Sequence, residues 1–125
     1  MHLRTQVTAQ TYSRELRLLT PAHFQRVFDK PVRAASPEIT LLARSNTLSH
    51  PRMGLTIARK QVKKATARNR LKRLSREYLR LRQGDLPDAD VIIIAKKPAQ
   101  FLENGDYVAL LDRLWTLLAK RLARV

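Results

Sequence analysis

Val91-Ile92-Ile93-Ile94-Ala95 is the stretch that most limits how this chain can fold. It is too short for a helix and suits a strand buried on both faces. Such a strand belongs inside a sheet with other elements packed over it, not at a solvated edge. The chain has 125 residues, which is one domain's worth of sequence. That length buries enough surface to fold without a disulfide or a structural metal.

The elements around this strand follow from periodicity. Thr20-Pro21 reads as a helix start, with Thr20 as N-cap and Pro21 in the first turn. That helix carries Phe24, Val27 and Phe28 on one face and stops near Asp29 or Lys30, ahead of Pro31. Residues 32–35 suit a brief strand. In Glu38–Arg44 the residues Ile39, Leu41 and Ala43 share a face, and in Met53–Arg59 so do Met53, Leu55 and Ile57. Residues 46–51 read as a loop. Ala67, Leu71, Leu74, Tyr78 and Leu81 then recur at helical spacing, with Thr66 as a candidate cap or a start one turn earlier, and Gln83-Gly84 as the stop. A last helix is expected from Asp106 to Arg121, capped by Asn104 or Asp106. Its core stripe is Tyr107, Leu111, Leu114, Leu118 and Leu122, with Leu110 and Trp115 beside it. The fold class is therefore α+β: one two-layer domain with a mixed sheet, in which a basic helix crosses between two parallel strands. Residues 14–125 form this domain, and residues 1–13 are expected to be a flexible N-terminal extension.

Charge singles out the crossover helix. The chain has a formal net charge of +15, and residues 59–82 hold 11 Lys and Arg against one acid, Glu77. Solvated helix faces usually mix both signs at i,i+4 spacing, which this segment cannot do. Opposite its apolar stripe lie Arg68, Asn69, Lys72, Arg73, Arg76 and Arg80, with Arg70 at the border beside the sheet. Arginine pairs bidentately with phosphate and stacks on bases, so the partner expected is a polyanionic nucleic acid. Asn69 suits a base edge or a 2′-hydroxyl, or equally a local bond. Phe24 and Phe28 suit stacking on unpaired bases, or packing on the sheet.

Other chemistries are excluded or unsupported. With no cysteine there is no thiolate zinc site, iron–sulfur cluster or cysteine nucleophile. His2, His23 and His50 have no ligand spacing, and three glycines make no phosphate loop. No metal site and no catalytic residue is expected in the protein. A self-sufficient nuclease would need a metal-holding carboxylate cluster or a general base. A helix-turn-helix DNA reader does not accommodate the Val91–Ala95 strand. A structural RNA-binding module fits composition and charge as well as any other reading. No apolar run is long enough to cross a membrane, and no secretory signal opens the chain.

The run Ala65-Thr66-Ala67-Arg68-Asn69-Arg70-Leu71-Lys72-Arg73-Leu74-Ser75-Arg76-Glu77 resembles the Arg-Asn-Arg signature of the bacterial ribonuclease P protein subunit. Arg14–Pro21 with Phe24 and Phe28 resembles that family's approach to its first helix, Pro51–Lys60 its third strand, and Asp90–Lys97 its fourth. Ser75 departs mildly from the pattern, at a position expected to lie away from the core, and Arg59 stands where Lys is common. The resemblance implies the order α-β-β-β-α-β-α with a left-handed crossover, against the usual hand. It implies a subunit of an endoribonuclease whose RNA does the chemistry, with Mg²⁺ serving that RNA and no cofactor held by the protein. The protein assists removal of the 5′ leader from precursor tRNA. Arg68, Asn69, Arg70, Lys72, Arg73 and Arg76 are implied to bind the catalytic RNA. Phe24 and Phe28 are implied to bind the leader in a cleft between the first helix and the sheet, with Arg59 and Lys60 at its edge. The implied partners are the catalytic RNA and precursor tRNA, with no membrane and no obligate protein partner, in the cytoplasm.

Overall fold

The apolar run lies in β4 (Ala89–Ala95), an inner strand whose residues are buried except for half-buried Ile94. The computed structural model describes residues 14–124, so the expected extension at 1–13 lies outside the described residues. The remaining strands are β1 (Val32–Ala35), β2 (Ile39–Ser45) and β3 (Arg52–Ile57), in the sheet order β1-β2-β4-β3. β1 and β2 are antiparallel, as are β2 and β4, while β3 and β4 run parallel. Leu41 pairs with Ile93 and Leu55 with Ile93, so β4 is held on both sides in one register. The helices are α1 (Pro21–Asp29), α2 (Ala65–Arg82) and α3 (Asn104–Leu122). Two short 3₁₀ helices, Arg14–Leu16 and Lys97–Phe101, complete the order. The expected sequence of elements and the α+β class are both observed.

One sheet face carries the main core. Ile39, Leu41, Ala43, Met53, Val91 and Ile93 meet Leu71, Leu74 and Leu79 of α2 and Tyr107, Leu111, Trp115 and Leu118 of α3. On the opposite face α1 adds a smaller cover, where Val27 and Leu18 pack on Ile92 with Phe24, Leu42 and Ile94 around them. Full burial of a side chain such as Val27 is worth ~1.5–3 kcal/mol, and it fixes α1 over the β2–β4 seam.

Three local expectations are corrected. α2 starts at Ala65 with Lys64 in the cap position and no side-chain cap bond, so Thr66 lies inside the first turn. Its buried arc is turned: Leu81 is 59% exposed, while Ser75 and Leu79 are fully buried. A helix packed against both a sheet and another helix buries a wider arc than one stripe, and α3 draws Ser75 inward. The Ser75 hydroxyl lies 2.8 Å from the Tyr107 hydroxyl and donates to the Leu71 carbonyl at 2.8 Å. Ser75 is therefore a core residue. Burial pushes the Tyr107 hydroxyl up to about 12, opposed by its bond to Ser75 and the charge of Arg70. α3 begins at Asn104 with Glu103 in the cap position, so neither Asn104 nor Asp106 is the cap.

Candidate nucleic-acid interface

α1 is placed by its own cap and by one buried carboxylate. The Thr20 hydroxyl accepts the His23 N–H at 3.2 Å, and Pro21 opens the helix. At the far end Asp90, fully buried at the start of β4, accepts from Arg52 Nε at 2.9 Å and Nη2 at 2.8 Å. Asn46 donates to it at 3.0 Å and Arg26 of α1 at 3.4 Å. Arg26 also donates to the Ser45 carbonyl at 2.8 Å, so α1 is tied to the end of β2. Burial alone would raise the Asp90 pKa. Hydrogen bonds from Arg52 and Asn46, with the charges of Arg52 and Arg26, outweigh it and hold the carboxyl below its ordinary value. This network was missed in the sequence, where the signal was an acid at the head of an apolar strand.

So placed, α1 lays the Phe24 ring directly on Gly54 of β3. A Cβ at residue 54 would stand 2.5 and 2.6 Å from two atoms of that ring, so glycine is needed there for close approach alone. The Leu18 N–H donates to the Met53 carbonyl at 3.0 Å, and Arg17 bridges Met53 in parallel, covering the start of the β3 edge. Beside it a cleft of about 360 Å³ opens, lined by Arg17, Phe24, Gly54 and Leu55 on one side and by Lys72 and Arg76 of α2 on the other. Phe24 and two cations of the signature helix, assigned from sequence to different partners, share this cleft.

The other candidate residues separate into groups. Asn69, Arg73 and Arg76 are exposed on α2, and Arg73 lies 3.6 Å from Glu77. Arg68 turns back and donates to the Val62 and Lys63 carbonyls at 2.9 and 2.8 Å. Those two bonds pin the loop that leads into α2, whose first turn has no side-chain cap. Arg70 does not emerge beside the sheet. It donates to the Leu102 carbonyl at 2.9 Å, to Asn104 Oδ1 at 3.0 Å and to the Gln100 carbonyl at 3.0 Å, fastening α2 to the start of α3. Phe28 is 44% exposed and does not line the cleft. Arg59 and Lys60 are exposed in the turn between β3 and α2, outside the lining.

A larger cavity of about 550 Å³ lies between α2 and α3 around Tyr78, Asp112 and Trp115, and no candidate residue lines it. The Tyr78 hydroxyl donates to Asp112 at 3.0 Å; burial first, then that bond, raises its pKa. Among the described residues no group of three or more His, Asp or Glu is placed to hold a metal ion.

Comparison with known proteins identifies the family and matches the fold. A model of the ribonuclease P family matches residues 12–120. The ribonuclease P protein component of Pasteurella multocida is 56% identical over 104 residues, covering 83% of this chain and 87% of that protein. That of Vibrio campbellii is 52% identical over 109 residues, covering 87% and 92%. Among solved structures, the Thermotoga maritima ribonuclease P protein in complex with 1-(4-fluorophenyl)-2-thiourea superposes with a TM-score of 0.71 at 30% identity, over 78% of this chain and 96% of that one. The Staphylococcus aureus protein gives 0.76 at 25% identity, over 82% and 94%. The chain belongs to the ribonuclease P protein family, the protein component of the endoribonuclease that processes tRNA 5′ ends.

Proposed function

We propose that this protein works on two RNAs at once, holding the catalytic RNA along the exposed side of α2 and the single-stranded 5′ leader of precursor tRNA in the Phe24 cleft. The juxtaposition of Phe24 with Lys72 and Arg76 across one opening carries this reading. An aromatic face beside cations is the composition that binds unpaired nucleotides, the ring taking a base and the cations its phosphates. Asn69, Arg73 and Arg76 are the exposed members of the catalytic-RNA set. Arg68 and Arg70 act first as braces that hold the helix in place and contribute charge. Phe28, Arg59 and Lys60 stand outside the cleft and can meet the leader only beyond it.

Cleavage itself is assigned to the RNA, together with the Mg²⁺ it uses. The protein's part is electrostatic and positional: a cationic body between two polyanions lowers their repulsion and reduces the Mg²⁺ required. On this reading the partners are the catalytic RNA and precursor tRNA, in the cytoplasm, with no obligate protein partner. No helix among the described residues is long and apolar enough to cross a membrane.

The test is cleavage of a 5′-extended precursor tRNA by a bacterial ribonuclease P RNA at low Mg²⁺, with and without the protein. The protein should restore accurate cleavage and do nothing alone. RNA binding without stimulation would favour a purely structural RNA-binding role.

A further inference from the structure

The Phe24 cleft has a neighbour at Arg17. Arg17 and Leu19 also line a second recess of about 320 Å³, whose walls are the 14–19 segment, His23 of α1 and the 46–52 loop. Apart from Arg17 and Leu19, no residue lining the Phe24 cleft lines this recess. Resting on the leader reading of the Phe24 cleft, we infer that it is a further nucleotide subsite, taking the stretch of the same single strand that runs on past Phe24.

Three observations carry the inference. The first is adjacency, since the two recesses share Arg17 and Leu19 as wall residues, so a strand leaving one lies next to the other. The second is charge. Arg14 and Arg17 line the recess against a single acid, Glu15, while Arg52, also in the lining, is already bonded to the buried Asp90 carboxylate. The third is the polarity of the two histidines. His23 Nδ1 accepts the Leu19 N–H at 3.1 Å, so in the neutral ring Nε2 carries the proton and donates. His50 Nδ1 lies 3.0 Å from the Pro51 carbonyl, which only accepts, so Nδ1 donates and Nε2 of the neutral ring accepts.

The recess thus offers one ring donor, one ring acceptor, arginine for phosphate, and two exposed apolar side chains, Leu19 at 43% and Leu48 at 38%, for a sugar or base face. That set fits a nucleotide better than a bare anion, which needs neither an acceptor nor apolar cover. Its loop wall is fixed in advance. Asn46 donates to Asp90 at 3.0 Å and to the His50 carbonyl at 3.3 Å, and its Oδ1 accepts the Leu48 N–H at 3.0 Å.

The test uses the full chain assembled with a bacterial ribonuclease P RNA and precursor tRNAs whose leaders lengthen one nucleotide at a time. Substrate affinity should rise as the leader fills the Phe24 cleft and rise again, by about fivefold, as it reaches the recess. Arg14→Ala with His50→Ala should abolish the second rise. Arg14→Ala with Leu48→Ala should do the same, which guards against disturbance of the loop through the His50–Pro51 contact. If Phe24→Ala is silent at every length, the cleft reading fails and this inference falls with it. If Phe24→Ala is effective but both recess variants follow the wild type at every length, the recess alone is refuted. A loss equal at all lengths, including mature tRNA without a leader, also overturns it, because the recess would then be acting through general charge.

Discussion

Replacing Gly54 by alanine tests whether the cleft works through the Phe24 ring. The backbone at Gly54 has no positive φ, so alanine fits the strand, and removing a glycine should by itself stabilise by ~0.5–1 kcal/mol. The added methyl would stand 2.5 and 2.6 Å from Phe24 ring atoms and 3.2 Å from a Leu18 methyl. Leu18 can give by a few tenths of an ångström, whereas the ring has to leave. Overpacking of this kind costs about 1–3 kcal/mol, so net destabilisation should stay within about 2.5 kcal/mol. The larger effect falls on binding. A displaced ring forfeits stacking worth ~1–3 kcal/mol per base, which is about 5- to 150-fold in leader-dependent affinity. The assay is substrate binding by the assembled enzyme, with leadered precursor compared with mature tRNA, alongside urea unfolding of the protein. Gly105→Ala is the control. Its added methyl in the first turn of α3 meets nothing within 4 Å beyond its chain neighbours and the helix's own backbone, so binding should be unaltered and stability slightly raised. Wild-type affinity for leadered precursor in Gly54→Ala would refute the reasoning, because the ring cannot hold its position beside that methyl.

Arg70→Ala should lower stability by about 1–3 kcal/mol, because it strips the donors bound to the Gln100 and Leu102 carbonyls and to Asn104. Hydrogen exchange in residues 97–104 should quicken, and unaltered protection there would return Arg70 to a purely RNA-facing role. Asp90→Asn should cost about 3 kcal/mol, the low end for a broken buried pair, because the Arg52 side chain keeps 19% of its exposure. The Asp90 pKa is lower folded than unfolded, so its contribution is complete above the ordinary carboxylate range and fades as pH falls through that range toward the folded value. Asp90→Asn should therefore flatten the acid limb of a stability–pH profile, and a limb as steep as wild type would contradict the role given to the network. Ser75→Ala should cost about 1–3 kcal/mol in urea unfolding, since it removes the partner of the fully buried Tyr107 hydroxyl. A change within a few tenths of a kcal/mol would mean that hydroxyl has another acceptor.

What the sequence made legible was what local periodicity and capping control. The Val91–Ala95 run had only one reading, and it became the inner strand. Thr20-Pro21 starts α1, because capping chemistry acts over four residues and needs no tertiary help. The failures lie where two elements meet. Ser75 is polar and reads as surface on a wheel drawn for a helix facing one partner, but Tyr107 lies 32 positions away and no local pattern reveals it. Leu81 fits the stripe by spacing and is left outside because α3 turns the buried arc. At the site, the helical wheel found the cations of α2 but not their directions. Lys72 and Arg76 meet Phe24 only because β3 lies at the sheet edge between α1 and α2, a juxtaposition set by strand order.

The distinction between reach and charge settles what the basic helix still offers after folding. Arg26 and Arg52 share the Asp90 carboxylate, Arg73 sits on Glu77 and Arg82 on Asp112, so acids offset most of that charge. The bonds of Arg68 and Arg70 go to carbonyls and an amide, which are neutral. Those two arginines lose freedom to follow a phosphate but keep their full charge. At physiological ionic strength that charge is felt over about 8 Å, enough to reach a strand lying on the same helix face. The Arg-Asn-Arg signature thus combines two structural ties with retained charge: its outer arginines fasten the start of α2 and its junction with α3, and they flank the exposed Asn69. A helix so braced fixes the backbone from which its exposed cations extend. On the proposed reading an RNA bound there orders side chains but not the backbone, whereas a flexible basic tail of equal charge must order both.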